Sequence, residues 1–324
     1  MPSAKQTLEI VNYDDKDKSF NVKSQAGNTL RMSDTFAEAF PMWAGRVLIT
    51  AENEKWALTA AEAATGLATS VIMSPAEAGI EGTVSADKTP DSRPGVLIQI
   101  YNRNRFDLKR QMILRIGQCV MTCPTASAFD ALPSAKRKLK VGRSLRLFGD
   151  GFQKKALVGG RKVWKIPVME GYFIVEDCFG ATEAVAGGNF LIFARDQSSG
   201  LKASEQAVSA IKAEANEVIL PFPGGVCRSG SKAGSLKYRL SASTNHPFCP
   251  KLRALVPDTQ VPEDVNCVYE IVIDGLSVDA VKKAVGEGVK AAACVNGVVK
   301  ISAGNYGGKL GPFKIVLKDA LGFC

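Results

Sequence analysis

The chain has little of what most often carries enzyme chemistry. It holds one histidine, His246, in 324 residues, and aromatic residues make up 7%. The eight cysteines (Cys119, Cys123, Cys178, Cys227, Cys249, Cys267, Cys294 and Cys324) form no CxxC pair. With a single imidazole, the usual donor set of a structural zinc site is missing. The lone histidine and the lack of a GxSxG elbow leave a serine triad unsupported. Neither the phosphate loop GxxxxGK[ST] nor the dinucleotide fingerprint GxGxxG occurs. No stretch reaches the length of a membrane span, so no membrane association is expected. Residues 1–31 are polar, with both charge signs and no apolar h-region, so no secretory leader is expected. Several cysteines sit in apolar runs, where they behave as small hydrophobes, and a reducing cytoplasm is the simplest compartment.

What is present starts with charge. The formal net charge is +9, and it is concentrated. Between Lys136 and Lys165 there are eleven Lys or Arg against one acid, Asp150. Such a run is usually a solvated surface, and otherwise a dock for something polyanionic, with Lys136, Arg137, Lys138 and Lys140 at its head. Few aromatics interleave with it and no nucleic-acid module is visible, so a nucleic-acid partner is not expected.

Periodicity divides the rest into two similar halves. In the first, strands are read at Arg46–Thr50, Thr69–Met73, Val96–Tyr101 and Cys119–Thr122. Asn53 caps a helix over Glu54–Thr65, and a second helix carries Leu108, Met112, Ile113 and Ile116 on one stripe. In the second, strands are read at Asn189–Ala194, Val218–Leu220, Cys267–Ile273 and Val298–Ile301. One helix carries Leu201, Ser204, Val208 and Ile211, and another is capped by Ser277. Long Gly/Pro-rich excursions, Ser74–Pro94 and Pro221–Asn266, fall at the same joint of each half. Each half thus reads β-α-β, loop, β-α-β. The expected class is α+β, two ferredoxin-like (split βαβ) lobes with extra β strands between them at Leu145–Phe148, Val163–Val168 and Tyr172–Glu176. A single mixed sheet is the alternative. The expected divisions are an N-terminal extension at 1–33 (a strand pair or a disordered tail), lobes at 34–123 and 186–324, and a basic connecting segment at 124–185.

Within the strand Cys267–Ile273, Glu270 shares a face with Val268 and Val272. A poorly solvated carboxyl has a raised pKa and is a candidate general acid, whereas an edge-strand glutamate facing water is the plain reading. Paired glycines let a backbone approach a ligand. They occur at Gly187–Gly188 beside Asn189, at Gly224–Gly225 with Ser231 and Lys232 behind, and at Gly307–Gly308 between Asn305 and Lys309. Each lies beside an expected strand, which points to one shared cleft. Pro124–Asp130, with Thr125, Ser127 and Phe129, is a further candidate or a capped turn.

Long strings of the chain resemble formylmethanofuran:tetrahydromethanopterin formyltransferases. They include DTFAEAF (34–40), TSVIMSPAEAG (69–79), RIGQCVMT (115–122), PTASAFD (124–130), GRKVWKIPV (160–168), PFPGG (221–225), CVYEIVI (267–273) and KISAGNYGGKL (300–310). The resemblance implies two ferredoxin-like lobes, a homotetramer, and formyl transfer between methanofuran and N5 of tetrahydromethanopterin as co-substrates. It implies no metal and no tightly bound cofactor. Glu270 matches the family's active-site glutamate. Phe129, Asn189, Gly224, Gly225, Ser231, Lys232, Asn305, Gly307, Gly308 and Lys309 fall in matching loops and are the expected substrate-binding residues.

The mechanism this implies is direct acyl transfer. N5 attacks the formamide carbon, glycine-loop amides stabilise the oxyanion, and protonated Glu270 donates to the departing amine. A formyl-cysteine route would use Cys267, but that residue lies on the opposite strand face from Glu270. The basic run departs from the family's acidic character. It fits acidic carrier tails or partner subunits, such as those of a formyltransferase/hydrolase complex oxidising formaldehyde-derived units, with a methanogenic role also open. A non-catalytic, cofactor-binding scaffold is the reading from another class.

Overall fold

The structure is a computed structural model that describes residues 7–230 and 232–323. Its elements run twice through one series. The first pass comprises a meander, β1 (Leu8–Asp14), β2 (Ser19–Ser24) and β3 (Thr29–Ser33), followed by a long strand, β4 (Phe36–Thr50). Then come α1 (Glu54–Thr65), β5 (Glu77–Val84), β6 (Gly95–Asn102), α2 (Arg105–Arg115), β7 (Ser127–Asp130), β8 (Arg137–Leu139) and α3 (Val141–Leu145). The second pass opens with the meander β9 (Lys154–Val158), β10 (Arg161–Val168) and β11 (Gly171–Glu176) and the long strand β12 (Phe179–Ala194). It continues with α4 (Gln197–Glu214), β13 (Val218–Ile219) and a small hairpin, β14 (Lys232–Ala233) and β15 (Ala242–Ser243). It closes with β16 (Cys267–Gly275), α5 (Val278–Ala293), β17 (Val298–Ser302), β18 (Phe313–Val316) and α6 (Leu317–Leu321).

The described chain forms two compact units, one up to Pro41 and from Val185 onward, the other Met42–Ala184. In the second, the strand order is β5-β6-β4-β7, and β11 adds to β7 in parallel, followed by β10 and β9. In the first, the order is β13-β16-β12-β17, and β3 adds to β17 in parallel, followed by β2 and β1. Both are the split βαβ arrangement with a three-stranded extension on one edge. Residues 7–33, read as an extension, are therefore three paired strands. Of residues 124–185, read as a connecting segment, 124–184 share one compact unit with residues 42–123, and Val185 belongs to the other.

The four long helices begin alike. Asn53, Asn104, Asp196 and Ser277 are each extended, and each accepts an N–H from the first turn. Such caps contribute about 1 kcal/mol apiece. One face of the first unit's sheet carries Phe190, Ile192, Ile271, Ile273 and Ile301, packed with Val208, Ile211, Val285 and Val289 of α4 and α5. Fully burying each such side chain contributes about 1.5–3 kcal/mol. Gly286 has no Cβ because α6 passes there: a Cβ would lie 2.1 Å from the Ala320 carbonyl oxygen.

Three expected strands are not strands. Thr69–Met73 is a turn, closed by Ser74 N–H donating to the Ser70 carbonyl at 2.7 Å and Val71 N–H to Glu77 Oε1 at 3.0 Å, and the strand is β5 instead. Cys119–Thr122 continues α2 through a wide turn in which Met121 N–H donates to the Ile116 carbonyl at 2.8 Å. The closing strand is β7. Leu145–Phe148 is helical, at the end of α3 and the tight turn after it. Each run is short and apolar, and periodicity does not separate a buried strand from a buried turn at that length. Among the described residues, no helix is long and apolar enough to cross a membrane.

Arg115 fixes the end of α1. It is 7% exposed, its Nη1 donates to the carbonyls of Ala64 (2.7 Å) and Gly66 (2.8 Å), and its Nη2 donates to Leu67 (3.3 Å). Arg115→Met leaves these carbonyls without that donor, and we expect a loss of about 3 kcal/mol in unfolding free energy, read by urea titration.

Candidate active site

Glu270 sits mid-strand in β16, 4% exposed. Its neighbours form a row across the sheet. Leu191 of β12 lies opposite it, Ser302 of β17 lies beyond Leu191, and Cys227 bridges on the other side. Cys227 and Glu270 exchange two backbone hydrogen bonds of 2.8 Å. Residues directly opposite share a face. This row therefore points away from the face that carries Phe190, Ile192 and Ile271. On the Glu270 side, part of the sheet is covered by the long excursion, where Phe248, Val261 and Val265 pack on Leu191 and Phe193.

The excursion leaves a small, partly open hollow over Glu270, lined also by Leu191, Cys227, Arg228, Ser229, Gly230, Asn245, Phe248 and Cys249. Gly230 makes it possible. Its φ is +70°, and a Cβ there would lie 2.4 Å from the Asn245 Cβ. Burial pushes the Cys227 thiol up, and the charge of Glu270 adds to this, against hydrogen bonds from Ser229 and Gly230. Burial likewise raises Cys267, whose sulfur packs on the opposite face against Gly200 of α4. Both thiols are poor thiolate sources.

The third glycine loop, between β17 and β18, is strapped to the start of β4. Glu38, 2% exposed, accepts the backbone N–H groups of Tyr306 (2.7 Å), Gly308 (3.1 Å), Gly311 (2.9 Å) and Leu310. Burial pushes the Glu38 carboxyl up, and the four amides together overcome it and hold it below the usual range. Asn189 Oδ1 accepts Gly304 N–H at 2.6 Å, and its Nδ2 donates to the Gly304 carbonyl at 3.2 Å. Asn305 donates to Thr35 Oγ1 (3.0 Å) and the Phe36 carbonyl (3.1 Å) and accepts Gly307 N–H (3.2 Å). The amides of residues 304, 306, 307, 308, 310 and 311 are all spent on side chains. The expectation that this loop's amides cradle the oxyanion is corrected accordingly. The loop instead presents Tyr306, 41% exposed. Burial pushes its phenol up, the charges of Glu270 and Glu38 add to the rise, and Ala233 N–H donates to it.

The other expected binding residues divide. Lys232, in β14, lies 3.0 Å from His246 Nδ1 through its ammonium, so the one imidazole is a loop residue with a lysine partner. Gly224 and Gly225 form a tight turn. Its second member has φ +84° and packs against Val208 of α4, outside the hollow. Lys309 is exposed, and Ser231 lies outside the described residues. In the other compact unit, Phe129 is a core residue of β7, fully buried with Leu48 and Val163, so its ring offers no binding surface. Thr125, with φ +62°, carries its strain within a network. Its carbonyl accepts Arg93 Nη1 at 2.6 Å and its hydroxyl accepts Glu52 N–H at 3.1 Å. Of the basic run, Lys138 is committed, its ammonium donating to Asp130 (2.9 Å) and the carbonyls of Leu132 (3.0 Å) and Pro133 (2.9 Å). Lys136, Arg137 and Lys140 are exposed.

Sequence reasoning passed over Glu38, Cys227, Asn245 and Tyr306. Glu38 carried a signal, an acid inside the apolar run Phe36–Phe40, the same pattern that marked Glu270. Cys227 and Asn245 carried none, since only the bridge to β16 and the turn at Gly230 bring them to the hollow.

Two family models match the chain. One, described as formylmethanofuran-tetrahydromethanopterin formyltransferase, covers residues 26–168, and the other, the proximal lobe of that enzyme, covers residues 171–320. The formylmethanofuran–tetrahydromethanopterin formyltransferase of Methanocaldococcus jannaschii is 55% identical over 296 residues, 90% of this chain and 98% of that one. The solved enzyme of that name from Methanosarcina barkeri is 50% identical with a TM-score of 0.87, covering 91% of this chain and 99% of the other. A chain of the formyltransferase/hydrolase complex of Methylorubrum extorquens, solved with methylofuran, is 41% identical with a TM-score of 0.87, covering 93% and 99%.

The strap on the glycine loop is testable without substrate. Asn189→Ala removes both contacts to Gly304, and we expect a loss of about 1–3 kcal/mol in stability. Amide exchange should accelerate at residues 304–308 and stay unchanged in α5. Unchanged exchange in the loop would refute this role.

Proposed function

The chain belongs to the formylmethanofuran–tetrahydromethanopterin formyltransferase family, and on that premise we propose that the hollow over Glu270 is where the formyl group changes carriers. The chain is an enzyme, a formyltransferase between methanofuran and tetrahydromethanopterin, and the two carriers are co-substrates. The observation that carries the site assignment is the carboxyl of Glu270, 4% exposed at the base of a hollow lined by Cys227, Ser229 and Asn245.

In this reading N5 of the pterin attacks the formamide carbon, whose oxygen gathers negative charge. Glu270, in its acid form, gives its proton to the methanofuran nitrogen as the C–N bond breaks, and the proton released from N5 restores it. A carboxyl held out of bulk water at the base of the hollow is placed to pass its proton directly to the departing nitrogen. A thioester route is disfavoured, since burial pushes both Cys227 and Cys267 up and Cys267 points to the helix face.

The test follows the formyl-pterin product by absorbance. Glu270→Gln should lower kcat about 100-fold or more with the fold intact, the usual scale for removing a general acid. Cys267→Ala should stay within about threefold of wild type, because a raised thiol is not a nucleophile. A Glu270→Gln enzyme at wild-type rate would sink the assignment.

We also assign the chain to the cytoplasm and to a homotetramer. The seven described cysteines are free thiols, as a reducing compartment requires. Light scattering of the purified chain should give four times the monomer mass of 34.5 kDa, and a monomer would refute the assembly.

A further inference from the structure

Addition of N5 to the formyl carbon places negative charge on the formyl oxygen, and that charge needs a donor fixed in advance. The glycine loop between β17 and β18 does not supply one, because its amides are given to Glu38, Asn189 and Asn305. The donor must come from the walls of the hollow itself. The Cys227 thiol and the Ser229 hydroxyl are paired with each other at 3.5 Å. The Cys249 thiol is given to the Asn245 carbonyl at 3.4 Å. Arg228 is exposed, so its charge is screened by water. Tyr269, next to Glu270 in β16, turns its ring to the other face of the sheet, against Gly200 of α4. The remaining polar side chain in the wall is that of Asn245.

Asn245 is held firmly by its backbone. Its N–H donates to the Ser229 carbonyl at 2.9 Å, and its own carbonyl accepts Phe248 N–H at 3.0 Å as well as the Cys249 thiol. Both neighbours are tied to the sheet. Ser229 is two residues from Cys227, whose backbone is bonded to that of Glu270, and the Phe248 ring lies 6.0 Å from that of Phe193 in β12. The Asn245 side chain lies against Gly230. A Cβ there would stand 2.4 Å from the Asn245 Cβ, 3.4 Å from its Cγ and 3.5 Å from its Nδ2. The glycine therefore makes the room that the asparagine side chain fills. Among the described residues, the side-chain amide has no hydrogen-bond partner, whereas the backbone of the same residue makes three such bonds.

We infer that Asn245 is a catalytic residue whose side-chain N–H donates to the formyl oxygen in the hollow over Glu270. As N5 bonds to the formamide carbon, the π pair of the C=O bond moves onto oxygen, and the amide N–H binds the charge that forms. When the pair returns, the C–N bond to methanofuran breaks, its electrons take the proton of Glu270, and the proton of N5 passes to the carboxylate. A neutral donor suits this site, because a cation beside Glu270 would favour the carboxylate over the acid.

This role rests on the assignment of the Glu270 hollow as the reaction site, and the experiment separates the two. Asn245→Ala, Asn245→Leu and Glu270→Gln are compared with wild type, full chain, for kcat and for KM of each carrier. Alanine removes the donor and keeps the backbone bonds. Leucine removes it and keeps the branched shape. Each should lower kcat about 100-fold, with both KM values within about threefold, the scale for losing one oxyanion donor. A wild-type kcat in Asn245→Ala overturns the inference. So does a slow Asn245→Ala beside a leucine variant at wild-type rate, since the side chain would then serve by shape alone. A raised KM with kcat unchanged also overturns it, since the contact would then belong to ground-state binding. If Asn245→Leu does not fold, Asn245→Ala decides alone. A fully active Glu270→Gln enzyme sinks the site assignment. An inactive Glu270→Gln enzyme beside a fully active Asn245→Ala enzyme sinks only the role of Asn245.

Discussion

A carboxylate sealed inside a fold must find donors or give up its charge, and Glu38 finds four in one turn of chain. This is the constraint on which the site's architecture depends. A buried ion costs several kcal/mol unless its lone pairs are filled. Four backbone amides fill them and hold the group ionised at neutral pH. To deliver the amides, the loop must curl with successive left-handed residues, which accounts for its glycines. The start of β4, the loop after β17, and through Asn189 the middle of β12 become one connected piece of polar structure. Glu270 lies one strand from Asn189 in the same sheet. The sequence therefore spends its glycine on internal electrostatics, and the reactive face is built from side chains.

The architecture was largely legible in advance. The repeat of β-α-β, loop, β-α-β stood out because the helices are long, amphipathic and capped by Asn53 and Ser277, and the strands are rich in Val and Ile. Where reading failed, it failed on short apolar runs. Thr69–Met73 has the composition of a strand, yet it is a turn held by Ser70 and Glu77, because no neighbouring strand offers it a ladder. Cys119–Thr122 follows α2 so closely that the helix continues through it. Tertiary pairing overrides local propensity at that length.

The site was legible in part, and the division is physical. Glu270 was visible because an acid between valines is costly and needs a reason. Glu38 obeyed the same rule in Phe36–Phe40 and was passed over. Phe129, chosen for its place in a small-residue loop, belongs to the core, because Ser127–Asp130 pairs with β4 and turns the ring inward. Lys138 was counted as free positive charge, but Asp130 and two carbonyls hold it. Cys227 and Asn245 reach Glu270 only through a bridge and a turn distant in sequence, and no local pattern announces a contact of that kind.

The way β3 is paired has a consequence for how the chain is made. The meander β1–β3 leaves the ribosome before the other described elements, and its open edge is finally covered by β17, one of the last of them. Nearly all of the remaining sequence, including the whole of Met42–Ala184, is synthesised in between. Through that interval β3 presents unpaired N–H and C=O groups, an invitation to the wrong neighbour. Arg31 on β3, with Asn21 opposite it on β2 and Lys23 opposite Thr29, keeps the waiting meander charged and polar. The nascent chain thus carries a solubility requirement in its first three strands that the finished enzyme, with β17 in place, no longer needs.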